Sequence, residues 1–410
     1  MRNPPSVNDK FFHFIKTWSR TPFPSKEILF DYAPLASSLM FADEEIIRHV
    51  TSMLSENISS WAFYHSPAYF QDRAYIQKSD LGDKESWFVK SMSEESATMQ
   101  TSGSTSDEGH SFRYLRWNHF LKTIEGDNHY DMVLDEFNIP NEPIIADILF
   151  RSGGKENQIQ EINPQNFMQH HGFRRKAKHI YLFSQTNLYY KDQSKFYDNI
   201  LEFLYTHEID VILTSGPTIN SIVSHIKRRG DKQKIATLLS NTYQYMLKKD
   251  GVFLKENGSI TSLCDHMRCW DGGAGFFTCR AGTVHLMDNL SWTVEIEKKL
   301  ISTDYFSFPA PFVNYWNGDL CRISDKYIRC NCGRMFRPFL FLENRPFGIK
   351  GQSMAEHKAK IKELGIDGIK QVKCDRIYFE FVTNRELSEN EKVAIEQVMT
   401  GYSIKYTVEL

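Results

Sequence analysis

The chain has 410 residues, 41% hydrophobic and 24% charged, with 49 basic against 51 acidic side chains and a formal net charge of −2 at pH 7. That length exceeds one simple core and predicts two or three domains. The near-neutral balance without a long Lys/Arg block excludes a general polyanion binder and sets nucleic acid aside as a partner.

The first residues after Met1, R-N-P-P-S-V-N-D-K, lack the apolar core of a signal peptide. No run of about 18 apolar residues occurs, so no membrane-spanning helix is expected. The seven cysteines are Cys264, Cys269, Cys279, Cys321, Cys330, Cys332 and Cys374. An odd count without a leader fits a reducing compartment, so a cytoplasmic location is expected. Their crowding between 264 and 332 points to metal binding or packing ahead of a disulfide framework.

In chain order, residues 10–70 carry helix-like apolar periodicity, as in E-E-I-I-R-H-V-T-S-M-L, a helix that Asp43 or the preceding Ala42 would begin. Y-I-Q-K-S-D-L (75–81) closes this part. T-M-Q-T-S-G-S-T-S-D-E-G (98–109) is rich in Thr, Ser and Gly. By composition it is either a slack surface linker or a loop whose N–H groups and hydroxyls wrap a phosphate. It is not a Walker loop, because the GxxxxGK[ST] spacing is missing.

From 178 onward, K-H-I-Y-L-F-S reads as a buried strand and F-Y-D-N-I-L-E-F-L-Y as an amphipathic helix. D-V-I-L-T-S-G is a second strand, P-T-I-N-S-I-V-S-H-I a helix with Pro217 in its first turn, and K-I-A-T-L-L-S a third strand. The alternation predicts a parallel sheet. Residues 282–299 hold two strand-like runs around Asp288-Asn289, which predicts an antiparallel hairpin. The tail offers a helix (354–364), a strand (376–382), a helix (388–399) and a strand (402–408), a small α+β unit. R-P-F-G-I-K-G (345–351) precedes it as a hinge.

Several stretches resemble one family in the same order, from about 75 to 350. T-S-G-S-T-S (101–106) is similar to the phosphate loop of the adenylate-forming superfamily, [ST]-S-G-[ST]-T-G. Y-W-N-G-D-L-C-R-I (315–323) resembles its R-Y-x-x-G-D segment, whose Asp grips the ribose hydroxyls of ATP. C-N-C-G-R (330–334) and E-N-R-P-F-G, with Arg345, resemble the C-x-C-G-R and I-x-G-R segments of the phenylacetate–CoA ligase branch, which includes capsule-biosynthesis-type homologues. I-Q-K-S-D-L resembles the entry segment of that branch.

The resemblance implies an α/β fold. A large N-terminal adenylation domain (1–344), with parallel sheets and a smaller β-hairpin region, would precede a small α+β lid (345–410). It implies ATP-dependent activation of a small carboxylic acid as an acyl-adenylate, then transfer to a thiol such as CoA or to an amine. A catalytically degenerate relative that only binds nucleotide or an acyl group is the alternative. Abundant Phe and Tyr suggest an aryl or apolar acid.

On single positions, Thr101, Ser102, Gly103, Ser104 and Thr105 would hold the phosphates. In M-R-C-W-D-G-G (267–273), Asp271 stands where the superfamily has its Mg²⁺-holding Glu, a suitable hard ligand. Trp270 and Met267 replace the usual Thr and aromatic residue. Asp319 would accept from the ribose hydroxyls, and Arg334 and Arg345 would meet ribose or phosphate. Ser106 replaces the last Gly of the loop, and His110, Arg113 and Arg116 are the nearest cations after it. The superfamily's late lid Lys has no clear counterpart, since Lys405 sits in a strand pattern.

The branch's C…H…C-x-C arrangement is matched by Cys279, His285, Cys330 and Cys332. That set implies a structural zinc, because four protein ligands leave no open position. Cys321 is a spare ligand, and Cys264, Cys269 and Cys374 are packing residues. His170-His171 invites a catalytic reading, but a carboxylate is already the nucleophile in adenylation, so this pair reads as a polar or substrate-facing loop.

Overall fold

The computed structural model describes residues 6–20, 24–65, 74–81, 87–100, 113–120, 131–148, 158–162, 177–184, 193–214, 216–241, 248–268, 273–343, 361, 364–367, 369–375, 378–398 and 403–408.

The N-terminal layer is helical. Helix Val7–Trp18 starts on a capping box, with the Ser6 hydroxyl accepting from the Asp9 N–H and the Asp9 carboxylate accepting from the Ser6 N–H at 3.0 Å. Helix Glu44–His65 begins where expected, with the Asp43 carbonyl accepting the Ile47 N–H at 3.0 Å. Ile46, Ile47, Val50, Leu54, Ile58 and Ala62 form its buried stripe. No described helix is long and apolar enough to cross a membrane.

An eight-stranded sheet forms the centre, in the order Val284–Leu286, Gly275–Thr278, Ile260–Arg268, Ala236–Asn241, Val211–Thr214, Ile144–Asp147, His179–Ser184, Gln158–Ile162. Its middle is parallel, as the strand–helix alternation predicts, and both edges are antiparallel. Helices Gln193–Thr206 and Gly216–Arg229 cross over between parallel strands. Ile200, Leu204, Ile219, Ile222, Val223 and Ile226 from these helices pack on Ile212 and Leu239 of the sheet. The opposite face meets the N-terminal helices through a second cluster that includes Phe11, Tyr32, Val50, Val211 and Leu238. Burial on both faces explains why Val211–Thr214 is apolar without alternation.

A five-stranded sheet lies beyond it. Its path is Ile76–Gln77, Tyr315–Ile323, Lys299–Asp304, Ser291–Ile296, with Phe339–Glu343 on a second partner register of Tyr315–Ile323. Here one expectation is corrected. The two runs within 282–299 do not pair with each other: Val284–Leu286 joins the large sheet and Ser291–Ile296 the second one. Asp288 and Asn289 are buried between them, at 2% and 0% exposure, unlike the residues of a solvated turn. Asp288 instead accepts hydrogen bonds from Arg337 and the Tyr327 hydroxyl. The hairpin turn is one step later, at Glu297 (φ 51°) and Lys298 (φ 64°), whose left-handed backbone suits a tight two-residue loop.

The C-terminal unit is a three-stranded sheet of Ile369–Asp375, Tyr378–Thr383 and Ser403–Val408, antiparallel and then parallel. Helix Glu389–Val398 provides the crossover and buries Ile395 with Phe381, Leu387 and Ile361. The last two strands and this helix match expectation; strand Ile369–Asp375 is an addition. The hinge 345–351 and nearly all of the expected helix 354–364 lie outside the described residues.

Candidate functional site

The cysteine–histidine set assembles from two turns. Cys279 leaves strand Gly275–Thr278, and the chain returns so that the Cys279 N–H donates to the Thr283 carbonyl at 2.9 Å, which places His285 on the neighbouring strand. Cys330 and Cys332 lie in a knuckle between the short strands Ile328–Arg329 and Met335–Phe336. The Cys330 N–H donates to the Arg334 carbonyl and the Gly333 N–H to the Cys330 carbonyl, both at 2.8 Å. Gly333 holds φ 90°, which a side chain would strain.

The four donor atoms lie within 4.8 Å of one another. Cys279 Sγ is 3.8 Å from Cys330 Sγ, and Cys332 Sγ is 3.5 Å from His285 Nε2. With zinc–sulfur bonds of about 2.3 Å and zinc–nitrogen bonds of about 2.0–2.1 Å, tetrahedral angles place two sulfurs about 3.8 Å apart and sulfur and nitrogen about 3.5 Å apart. The residues present therefore fit a tetrahedral ion.

Burial, and then the Arg334 charge, hold the His285 imidazole down at about 4, so it is neutral and ready to ligate. Burial pushes the Cys279 thiol up to about 12. For Cys330, burial is outweighed by hydrogen bonds from the Cys332 backbone, Thr283 and the neighbouring thiols, and its thiol is shifted down. Phe277 stacks on the His285 ring at 5.2 Å and Phe336 tilts against it at 4.9 Å, which buries the imidazole, while Cys332 stays partly exposed.

Arg334, which the resemblance expects at the nucleotide, is only 5% exposed and forms an ion pair with buried Glu136. Its guanidinium lies 4.7 Å from the Phe41 ring centroid and 5.3 Å from that of Phe277. Cys321 stands apart from the cluster, packed with Ala274 and Leu300, and burial pushes its thiol up to about 12. Cys264 is buried in the main core, with its thiol shifted upward by burial. Cys374 belongs to strand Ile369–Asp375, and Cys269 lies outside the described residues.

The motif-bearing segments of the nucleotide reading meet at the second sheet. Strand Ile76–Gln77 pairs in parallel with Tyr315–Ile323, matching Ile76 to Tyr315 and Gln77 to Trp316. I-Q-K-S-D-L and Y-W-N-G-D are thus side by side. Asp319 is on this second strand, 6% exposed, and its carbonyl accepts from Trp316 Nε1 at 3.0 Å. Strands Ser96–Gln100 and Arg113–Trp117 form an antiparallel pair with Gln100 opposite Arg113, so T-S-G-S-T-S belongs to the segment joining a two-stranded ribbon. Residues Thr101–Thr105 themselves, with Ser106, His110, His170, His171, Trp270, Asp271 and Arg345, lie outside the described residues.

Asp304 connects these parts and carries no local sequence signal. It ends strand Lys299–Asp304, is fully buried, and forms an ion pair with fully buried Arg116 at the base of the ribbon. Its Oδ1 accepts the Phe306 N–H at 3.1 Å. A Cβ at Gly273, where the chain re-enters after W-D-G, would stand 2.6 Å from the Asp304 Cβ. Gly273 also holds φ 76°, so two independent constraints require glycine there. Arg116, one of the cations near the loop, is therefore committed to this pair, beneath the rings of Tyr114, Phe120 and Phe312.

No family model matches the chain, and no curated protein matches it in sequence. Solved structures do. A complex of 2-hydroxyisobutyryl-CoA ligase with 2-HIB-AMP and CoA in the thioesterification state matches with TM-score 0.62 at 12% identity, over 90% of this chain and 87% of that one. The same ligase in the postadenylation state with R3-HIB-AMP matches with TM-score 0.56 at 11% identity, again over 90% and 87%. An open conformation with 2-HIB-AMP and CoA matches with TM-score 0.55 at 11% identity, over 89% and 88%. This chain shares the mixed α/β fold of these ligase structures.

Proposed function

We propose that the chain is an AMP-forming ligase that activates a carboxylic acid with ATP and passes the acyl group to the thiol of CoA. The observation that carries this reading is the parallel pairing of Ile76–Gln77 with Tyr315–Ile323, which aligns two family-like segments and sets Asp319 beside them. The fold shared with a ligase bound to an acyl-AMP and CoA supports it.

A carboxylate oxygen of the substrate attacks the α-phosphorus of ATP. The bond to the pyrophosphate oxygen breaks, and acyl-AMP remains. The nucleophile arrives ionised, so no protein base is needed, and the protein's part is alignment and charge neutralisation. Thr101, Ser102, Gly103, Ser104 and Thr105 would supply N–H and hydroxyl donors to the phosphates. Asp271 would ligate Mg²⁺, which offsets phosphate charge when bound. Asp319 would accept from the ribose hydroxyls, with Arg345 and Trp270 completing the nucleotide's surroundings. Cys279, His285, Cys330 and Cys332 would hold zinc as a structural ion that ties the Cys279 turn to the knuckle. Thiolysis of the acyl-AMP then gives the thioester and AMP; an amine would give an amide by the same displacement. We place the boundary between the large domain and the lid at the 345–351 hinge.

One observation favours a nucleotide- or acyl-binding protein without turnover. Lys405 stands within strand Ser403–Val408, in register with Glu380, rather than on a terminal loop. Incubation with ATP, Mg²⁺, CoA and a panel of aryl and aliphatic acids decides between the two. Release of AMP with one acid supports the ligase; ATP bound but never consumed supports the binding protein.

A further inference from the structure

We infer that Arg334 and Glu136 are positioning residues of the cysteine–histidine metal centre, a clamp that aligns its two halves and balances its charge. The proposal rests on reading Cys279, His285, Cys330 and Cys332 as a zinc site.

Glu136 touches both halves at once. It ends helix Asp131–Glu136 and is 7% exposed. One carboxylate oxygen accepts the backbone N–H of Arg280, the residue after Cys279, at 3.0 Å. The other accepts from the guanidinium of Arg334, two residues after Cys332. The two ligand-bearing turns are far apart in sequence, and besides their own sulfur and imidazole contacts this one side chain joins them. With a single carboxylate fixed to both, their spacing is set before any metal arrives.

Arg334 also stands beside the knuckle cysteines, two residues after Cys332 and in electrostatic contact with it. Phe277 lies between Arg334 and His285, in contact with both rings or planes. A zinc ion with three thiolates and one neutral imidazole carries one net negative charge. Cys279, Cys330 and His285 are 2%, 7% and 0% exposed and Cys332 is partly exposed, so most of that charge lies away from water. With Glu136 also negative, Arg334 and Arg280 together bring the group to neutrality. With or without metal, Glu136 pairs Arg334. The Arg280 side chain, 64% exposed, lies 3.8 Å from Glu136 and extends the alternation of charge to the surface. Groups of this kind hold ligands in orientation, and their loss typically weakens metal affinity about 10–100-fold.

The test compares wild type with Arg334→Met, Arg334→Lys, Glu136→Gln and Leu134→Ala, each purified without added metal. Zinc content, release of zinc to a chromogenic chelator, and the sulfur-to-cobalt charge-transfer band after cobalt substitution are measured. Wild type is expected to hold one zinc per chain. Arg334→Met and Glu136→Gln are expected to release it about 10–100-fold faster, with a shifted cobalt band. Arg334→Lys restores a cation beside Glu136 and should recover part of both effects. Leu134→Ala only removes packing from the same helix, so it should lower the melting temperature and leave the band unmoved. Should Arg334→Met fail to fold, Glu136→Gln and Arg334→Lys decide alone. Release rates and bands equal to wild type in a zinc-loaded protein would overturn the clamp and leave the zinc site standing. Wild type without zinc would overturn both.

Discussion

Arg116–Asp304 and Arg334–Glu136 are two buried arginine–carboxylate pairs with different surroundings. The first is fully sealed and ringed by Tyr114, Phe120 and Phe312. The second has Phe41 and Phe277 on its flanks and a sulfur beside it. The first joins the ribbon that carries 101–112 to the end of a strand in the second sheet, where Asp304 also accepts the Phe306 N–H. The second joins two turns that a metal ion would also join. A buried ion pair contributes little net stability over an apolar replacement, yet removing one partner leaves an uncompensated charge. The comparison therefore turns on the metal: zinc can share the load of Glu136, whereas the cysteine–histidine set does not include Asp304.

The largest effect is expected at the fully buried pair. Asp304→Ala should destabilise the fold by about 3–5 kcal/mol, because it removes the carboxylate paired with a fully buried Arg116. Denaturant unfolding measures this directly. Glu136→Ala in zinc-loaded protein should lose less, and should approach the Asp304→Ala loss once a chelator has removed the metal. Equal losses with and without zinc would show that the metal shares none of the load.

Removing the metal comes next. Chelation, or Cys330→Ser, should lower the melting temperature of the large domain while ATP affinity stays within about twofold of wild type, since a four-ligand ion is structural. Calorimetric titration with ATP beside a thermal scan separates the two quantities.

A smaller change is expected in binding alone. Asp319→Ala should weaken ATP by about 1.5–3 kcal/mol, the range for hydrogen bonds to a charged group, and Asp319→Asn by less. Because Asp319 sits on the strand next to Lys299–Asp304, the same titration on Asp304→Asn shows whether the sealed pair transmits to the nucleotide.

Much of this architecture is readable from local pattern. The parallel strands are short apolar runs between amphipathic helices, and sheet burial on both faces produces that signature. The Asp288-Asn289 segment misleads because turn residues can also serve inside: Asp288 is held by Arg337 and Tyr327 rather than by water. Strand Ile369–Asp375, I-K-Q-V-K-C-D, escapes because its polar residues break the alternation. Within the site, Cys279, His285, Cys330 and Cys332 are legible through their resemblance to a family's C…H…C-x-C arrangement, and the fold brings the four together. Glu136 and Asp304 are not. Each is a single acid in an ordinary element, and its partner is 198 or 188 residues away in the sequence. Only the folded chain supplies that proximity.

The most direct measurement is carboxylate-dependent exchange of labelled pyrophosphate into ATP, run with wild type and Gly103→Val. Exchange should occur with at least one aryl or apolar acid and require Mg²⁺. It should vanish in Gly103→Val with little change in melting temperature, since a Cβ there blocks the close approach of backbone to phosphate. Exchange that survives Gly103→Val would remove the phosphate-loop role of Thr101–Thr105, and no exchange with any acid would contradict adenylation itself.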